Sequence, residues 1–422
     1  MRDSPKISLA ALALATVFAL TVVLALSAQA QTFTVLHTFT GGQDGANPDA
    51  GLTIDKAGNL YGTAAGGGYT GGDCAFYGGC GTVFRLSYKG SGWVFTPLYS
   101  FQGGGDGAFP EARVIIGPNG SFYGTTWQGG YRDCYMDLDT CGTVFNLRPS
   151  ASACKTALCS WTETVLYRFT GGSDGGFPVS DVVFDPAGNM YLSTYNPAVV
   201  DKLTLSNGSW EVALSLGFNG GSDGGPPISS LTLDSTGNVY GVAAGGGANN
   251  YGLVFQLTTS GSGWTENVLY TFQGGSDGIY PMAGLIFDQA GNLYGSASSG
   301  GLGNGGTVFE LTPSSGDWNF SLLYSLSGSG GSRNGPLRSL AMDGAGNLYG
   351  TTYSDGAYGA GSVFKLTPAN GGWAYTDLYD FTGGDDGANP YGGVTLDASG
   401  NLYGTTAFGG ASGAGVVWEI TP

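Results

Sequence analysis

Histidine and basic residues are scarce in this chain. Its 422 residues include one histidine and 14 Lys and Arg against 31 Asp and Glu, for a formal charge of −17. So acidic a chain has no basic surface to neutralise a phosphate backbone, which excludes nucleic acid as a partner. His37 occupies a strand position filled by Tyr99, Tyr167, Tyr270, Tyr324 and Tyr379 further along, so it reads as scaffold. Without a second histidine, neither an ordinary Ser-His-Asp site nor a multi-histidine metal centre is available. Long apolar runs are missing too, with one exception. The stretch from Leu9 to Leu26 follows Arg2 and Lys6 and ends at Ala28-Gln-Ala30, the charged, apolar and small-residue order of a secretory signal peptide. We therefore expect residues 1–30 to be removed. The mature chain would then be secreted, periplasmic or held at the cell surface, with no membrane segment left. An uncleaved anchor is the alternative, since a run of this length almost crosses a bilayer.

Glycine, by contrast, is abundant at 80 residues, and it recurs within a repeat. A phrase of the form Asp-x-x-Gly-Asn-Leu-Tyr-Gly returns seven times, with its Tyr at Tyr61, Tyr123, Tyr191, Tyr240, Tyr294, Tyr349 and Tyr403. The intervals are 62, 68, 49, 54, 55 and 54 residues, too long for a solenoid coil and close to one four-stranded propeller blade. Around Asp288, Gly284-Leu-Ile-Phe reads as a short strand and Gln289-Ala-Gly-Asn292 as a tight turn. Asn292-Leu-Tyr-Gly-Ser begins the next strand, Gly306 to Leu311 is a third, and Trp318 to Tyr324 is a fourth. Helical periodicity is absent from the repeats. The mature chain opens on a fourth strand, Thr34 to Phe39, and closes on a third, Val416 to Ile420. The two ends therefore complete one blade, and closing the ring removes an exposed sheet edge. The expected fold is an all-β, seven-bladed β-propeller spanning residues 31–422 as one domain, and a monomer is expected.

The six cysteines fall only where the repeat is overlong, which favours local pairing: Cys74 with Cys80, Cys134 with Cys141, and Cys154 with Cys159. The alternative is a metal site, against which stands the lack of the short spacing typical of zinc ligands.

The repeat resembles the tandem-repeat family called GloVer, found in secreted bacterial proteins with differing C-terminal anchors. The resemblance runs from Leu36 to Ile420. It is carried by Gly-Gly-x-Asp-Gly-Ala-x-Pro (Gly41 to Pro48, Gly383 to Pro390), Asp-x-x-Gly-Asn-Leu-Tyr-Gly-Thr-Thr (Asp343 to Thr352, Asp397 to Thr406) and Gly-x-Val-Phe-x-Leu (Gly361 to Leu366). It implies a secreted or surface repeat protein and brings no catalytic residues with it. The chain departs from the pattern in ending at Pro422 without an anchor segment, which leaves envelope attachment open.

Most acids are periodic. Asp55, Asp185, Asp234, Asp288, Asp343 and Asp397 belong to the hairpin turn, and Glu163 and Glu266 both follow Trp-Thr. A second set, Asp44, Asp106, Asp174, Asp223, Asp277 and Asp386, with Asn334 at the sixth repeat, lies between blades and would ring one face. Such oxygen ligands suit a hard cation, with Ca²⁺ the candidate; equally, each Asp could organise its own Gly-rich turn. No other cofactor is expected. The non-periodic acids are Glu111, Asp133, Asp137, Asp139, Asp181, Asp201 and Asp355. On the same face the loops carry aromatic residues: Tyr69, Phe76 and Tyr77, then Trp127, Tyr131 and Tyr135, then Tyr195, Tyr251, Tyr353, Tyr358 and Phe408. Rings on loops held by a rigid frame stack on sugars and anchor protein partners. The functional expectation is a secreted, non-catalytic protein that binds a glycan or an envelope protein through this face. The alternative is a polysaccharide hydrolase or lyase using two non-periodic acids that converge in the central funnel.

Overall fold

The computed structural model describes residues 31–130, 140–149, 161–260, 263–328 and 335–422. These residues form seven antiparallel sheets of four strands, the blades of a β-propeller. The expected signal peptide lies outside them, and within them no helix is long and apolar enough to cross a membrane. Blade 1 shows the pattern. Its strands run outward from the channel as Thr53–Ile54, Leu60–Ala64, Thr82–Tyr88 and Trp93–Ser100.

The repeat phrase encodes this blade residue by residue. At the inner hairpin Asp55 accepts hydrogen bonds from the backbone N–H groups of Ala57 and Asn59, from the Asn59 amide and from the Tyr61 hydroxyl, at 2.8–3.0 Å. One carboxylate thereby fixes the turn and orients the Tyr six residues on. The second blade departs from the phrase, because Gly117 stands where the Asp would be. There the Asn119 side chain caps Ser121 N–H and donates to the Tyr123 hydroxyl instead. After Tyr61 comes Gly62, paired in register with Phe84 of the next strand. A Cβ on Gly62 would lie 2.5 Å from the Phe84 ring, so the Gly of the second strand exists to admit the Phe of the third. Next, the Thr63 hydroxyl donates to Ala112 O of blade 2 at 2.9 Å, and Thr125, Thr351 and Thr405 repeat this bond to Ser180, Gly392 and Ala50. The threonine is thus a stitch between blades.

Blade 3 inverts the Gly and Phe pair. Leu192 sits opposite Asp201, so the large side chain comes from the second strand and the third carries a short acid. Asp201 is fully buried, and neither carboxylate oxygen has a hydrogen-bond partner. Burial pushes its pKa well up; the Ser215 hydroxyl opposite it in the strand pair opposes this, although its own hydrogen bond goes to Ser173 O, and the charge of Asp174 adds to the rise.

Blades adhere through aromatic rings on their outer strands: Tyr270 stacks on Phe320 at 4.1 Å, Tyr324 on Tyr375 at 5.0 Å, and His37 on Phe95 at 3.9 Å. His37 thus takes the place of the expected Tyr. The ring closes as the phase of the repeats predicts. Blade 7 joins Thr395–Leu396, Leu402–Thr406 and Val416–Thr421 to Thr32–Thr38, with Thr32 opposite Thr421 and Thr38 opposite Val416.

Candidate functional site

Two kinds of loop meet on one face: those between the second and third strands of a blade, and those leading from one blade to the next. Residues 46 and 66 bridge the two kinds in blade 1, as do 108 and 128 in blade 2 and 388 and 408 in blade 7. The inter-blade loop is locked at the residue before its proline. Asn47, Phe109, Phe177, Tyr280 and Asn389 all adopt φ between 53° and 58°. Such a backbone is costly for a bulky side chain and persists only when surroundings impose it. Here each N–H donates to a carbonyl of the preceding blade, namely Ala414, Cys80, Cys141, Tyr251 and Ala360, at 2.7–3.0 Å. The residue after the proline is thereby held at the channel mouth.

The ring of periodic acids is engaged by its own loops. Asp106, Asp174, Asp277 and Asp386 accept from the hydroxyls of Tyr99, Tyr167, Tyr270 and Tyr379 at 2.9–3.0 Å, and from backbone N–H groups four residues earlier. Asp44 meets His37 Nε2 and Thr40 N–H, and Asp223 meets the Asn219 backbone and amide. Asn334 lies outside the described residues. Among the described residues no group of three or more His, Cys, Asp or Glu side chains is placed to hold a metal ion.

The aromatic candidates fall into two groups. Phe76 (87% exposed), Tyr77 (63%) and Tyr358 (65%) stand out from the loop face, with Tyr69, Tyr195 and Phe408 less so. Phe76 and Tyr77 sit on a short 3₁₀ turn, Gly72–Tyr77, closed by the Cys74–Cys80 disulfide. Trp127, Tyr251 and Tyr353 are half-buried. Trp127 is wedged between blades, 5.2 Å from Phe177 and 5.6 Å from Tyr195. Tyr131 and Tyr135 lie outside the described residues, as do Cys134, Cys154 and Cys159; Cys141 is itself disulfide-bonded.

At the channel mouth the repeat breaks. The residue after the proline is Val179, Ile228, Met282 and Leu337 in blades 3 to 6, but Tyr391, Asp49 and Glu111 in the consecutive blades 7, 1 and 2. One position later Arg338 replaces a residue that is Ala, Ser or Gly elsewhere, and beyond it Arg113 and Asp181 face each other. Arg113 N–H and Nε donate to the two Asp181 oxygens at 2.8 and 3.0 Å, and its guanidinium reaches Oδ2 again at 2.8 Å. Glu111, Arg113, Asp181 and Arg338, with Ser230 and Ser339, line a channel cavity of about 330 Å³. Arg338 lies over the Tyr391 ring at 4.7 Å, and Tyr353 meets Tyr391 edge-on at 6.0 Å. Burial raises Asp49 to about 7, with the charge of Glu111 adding and Arg338 opposing. Burial also raises Glu111, against the pull of Arg338. Neither carboxylate has a hydrogen bond or ion pair to a described residue. Of this cluster, Glu111, Asp181 and Tyr353 stand out in the sequence as departures from the repeat, whereas Asp49 hides beside the periodic Asp44. Aligning the repeats on their proline would have found it.

Seven four-stranded blades built from one phrase define a repeat-encoded β-propeller. Within that class the chain belongs to the Gloeobacter/Verrucomicrobia repeat family, whose model matches residues 16–197, 193–335 and 267–422. No curated protein matches the chain. Among solved structures it is similar to a chain of the nidogen/laminin complex, at 16% identity and a TM-score of 0.40, covering 63% of this chain and 83% of that one. It is also similar to a provisionally assigned 6-phosphogluconolactonase from Bacteroides uniformis ATCC 8492 (12%, 0.46, 78% and 84%). A protein of unknown function from Dyadobacter fermentans DSM 18053 is a third (13%, 0.46, 82% and 98%). Likenesses at this level carry no argument about function.

Proposed function

We propose that the protein is an extracellular, non-catalytic binding module that takes a glycan on its loop face. The observation that carries this reading is the exposure of Phe76, Tyr77 and Tyr358 on loops fastened to the scaffold. A large apolar ring left in water costs free energy that a flat sugar face recovers by stacking. Fastening also limits the entropy lost on capture: Gly68 N–H bonds across to the neighbouring inter-blade loop, Ala357 N–H beside Tyr358 donates to the Asp380 carboxylate at 3.0 Å, and the Cys74–Cys80 bond closes the 3₁₀ turn. That disulfide, with the signal sequence read in residues 1–30, supports an oxidising compartment outside the cytoplasm. The test is a glycan array run with wild type beside the Tyr77→Ala, Tyr358→Ala double variant. Loss of signal in the variant is expected; equal binding by both would remove the loop face from consideration, and capture of an envelope protein instead of any glycan would replace the ligand class.

One observation favours a second reading. Asp49, raised to about 7 by burial and by the charge of Glu111, lies near Glu111, and two neighbouring acids, one of them with a raised pKa, are what glycoside hydrolysis uses. Release of reducing ends from a bound polysaccharide, abolished by Glu111→Gln, would establish cleavage in place of simple binding.

A further inference from the structure

We propose that the channel mouth is a specific subsite for the uncharged end of a saccharide chain, gripped by Asp49, Glu111 and Arg338 beside the rings of Tyr353 and Tyr391. This rests on the glycan reading above and names where the chain ends. Three independent features converge. The first is sequence placement: in a chain whose acids are mostly periodic, the post-proline position turns polar only in three adjacent blades, so one side of the mouth is polar while Val179, Ile228, Met282 and Leu337 occupy the same position opposite.

The second is the cavity. At about 330 Å³ it falls at the small end of the range of ligand pockets, roughly 300–1,000 Å³, which suits the end of a chain rather than its length. Glu111 and Arg338 line it, whereas Asp49, Tyr353 and Tyr391 stand outside its lining and join it through the Asp49–Glu111 charge pair and the Arg338–Tyr391 stack. The third is charge. Arg113 and Asp181 neutralise each other through three contacts, leaving Arg338 to balance Asp49 and Glu111. Burial and the charge of Glu111 raise Asp49 to about 7, so that when Asp49 holds its proton Arg338 balances Glu111 and the cluster comes close to neutrality. It then offers a carboxylate acceptor, an acid donor and a guanidinium fork at once. Vicinal hydroxyls, each donor and acceptor, satisfy all three. An anionic sugar would add net negative charge to a balanced cluster in a chain of charge −17, and a simple amine would leave Arg338 unpaired.

The probes are neutral cello-, malto- and chito-oligosaccharides and, as an anionic control, galacturonate oligomers. Binding is read by calorimetry for wild type, Glu111→Gln, Arg338→Ala and the Tyr77→Ala, Tyr358→Ala double variant, with a melting curve for each. We expect at least one neutral series to bind wild type. Glu111→Gln and Arg338→Ala should weaken it at least about tenfold without moving the melting temperature, as loss of a hydrogen bond to a charged group does. If the channel variants bind as wild type while the loop variant fails, this inference falls and the loop-face reading survives. If no neutral series binds wild type, both fall. Tighter binding of galacturonate than of the neutral chains would overturn the assigned ligand chemistry.

Discussion

Blade 3 offers a sharp test of how the repeat phrase works. In blade 1 Gly62 leaves the space that the Phe84 ring fills, whereas in blade 3 Leu192 and Asp201 occupy the same two register positions. Leu192→Gly alone should empty a buried, fully packed site. The cost is about 3–5 kcal/mol, taking the usual loss for truncating a buried Leu and adding up to about 1 kcal/mol for Gly within a strand. Asp201→Phe alone drives a ring into space that Leu192 already holds, about 1–3 kcal/mol of overpacking. This is partly offset by removing a buried carboxyl without partners, itself worth about 1–3 kcal/mol. The double variant recreates the Gly and Phe pair of blade 1. The ring then fills the hole, and stability should return to the wild-type level or above, a coupling of at least about 2 kcal/mol. Urea denaturation followed by tryptophan fluorescence measures all four proteins. Because the folded-state pKa of Asp201 is raised, its penalty is absent below the ordinary carboxylate range and grows as pH rises toward the shifted value. The advantage of the double variant over wild type should therefore be larger at pH 8 than at pH 5. Costs that simply add, or an advantage that ignores pH, would refute the proposed exchange of volume between the two strands.

The remaining predictions concern closure, acids, cations and the staple. Deleting residues 31–39 removes the outer strand of blade 7 and should lower the melting temperature of the whole ring; an unchanged calorimetric melt would contradict closure through Thr32–Thr38. In the hairpin acids, burial opposes ionisation but the several donors outweigh it, so Asp55, Asp185, Asp234, Asp288 and Asp343 are lowered and their stabilisation is lost as pH falls through those lowered values. Glu163 and Glu266, raised to about 7 by burial with help from Asp106 and Asp223, lose stability as pH rises through 7. Thermal melts across pH should accordingly peak in the mildly acidic range, and a monotonic rise to pH 9 would contradict this. Since the acids of the inter-blade loops already accept hydrogen bonds from their own turns, millimolar Ca²⁺ should leave the melting temperature unchanged. A clear upward shift would support the cation reading. Reducing Cys74–Cys80 should cost about 2 kcal/mol on loop-closure grounds and increase proteolysis between Tyr69 and Cys80.

The architecture was legible because the phrase is its own blueprint. Asp55, Gly62 and Thr63 recur since each meets a geometric demand repeated in the blades: a turn, a ring and a neighbour. The split blade could be read from phase alone. The acids between blades were ambiguous, because an Asp that organises a Gly-rich turn and one that ligates a cation have the same sequence surroundings. The donors such as Tyr99 and Tyr270, which show the turn-organising role, become visible only in three dimensions. Trp127 shows the limit of counting aromatics, since a ring on a long loop gives no sign of whether it faces water or, as here, a neighbouring blade. Asp49 was passed over for the opposite reason. It sits five residues from a periodic acid, and its distinction lies in a comparison across blades that spacing does not reveal.

The seam in blade 7 also has a mechanical meaning. Thr32 and Thr421 lie opposite each other at the same end of two antiparallel strands, so a force that separates them pulls across the strands. The hydrogen bonds of that pair would then open one after another, like a zipper, whereas shear along the strands would load them together. A load entering through both ends of this ring meets its weakest direction. One that enters and leaves through the loop face bypasses the seam and crosses between blades, where the threonine stitches lie. How such a protein is tethered would therefore decide how long it holds on.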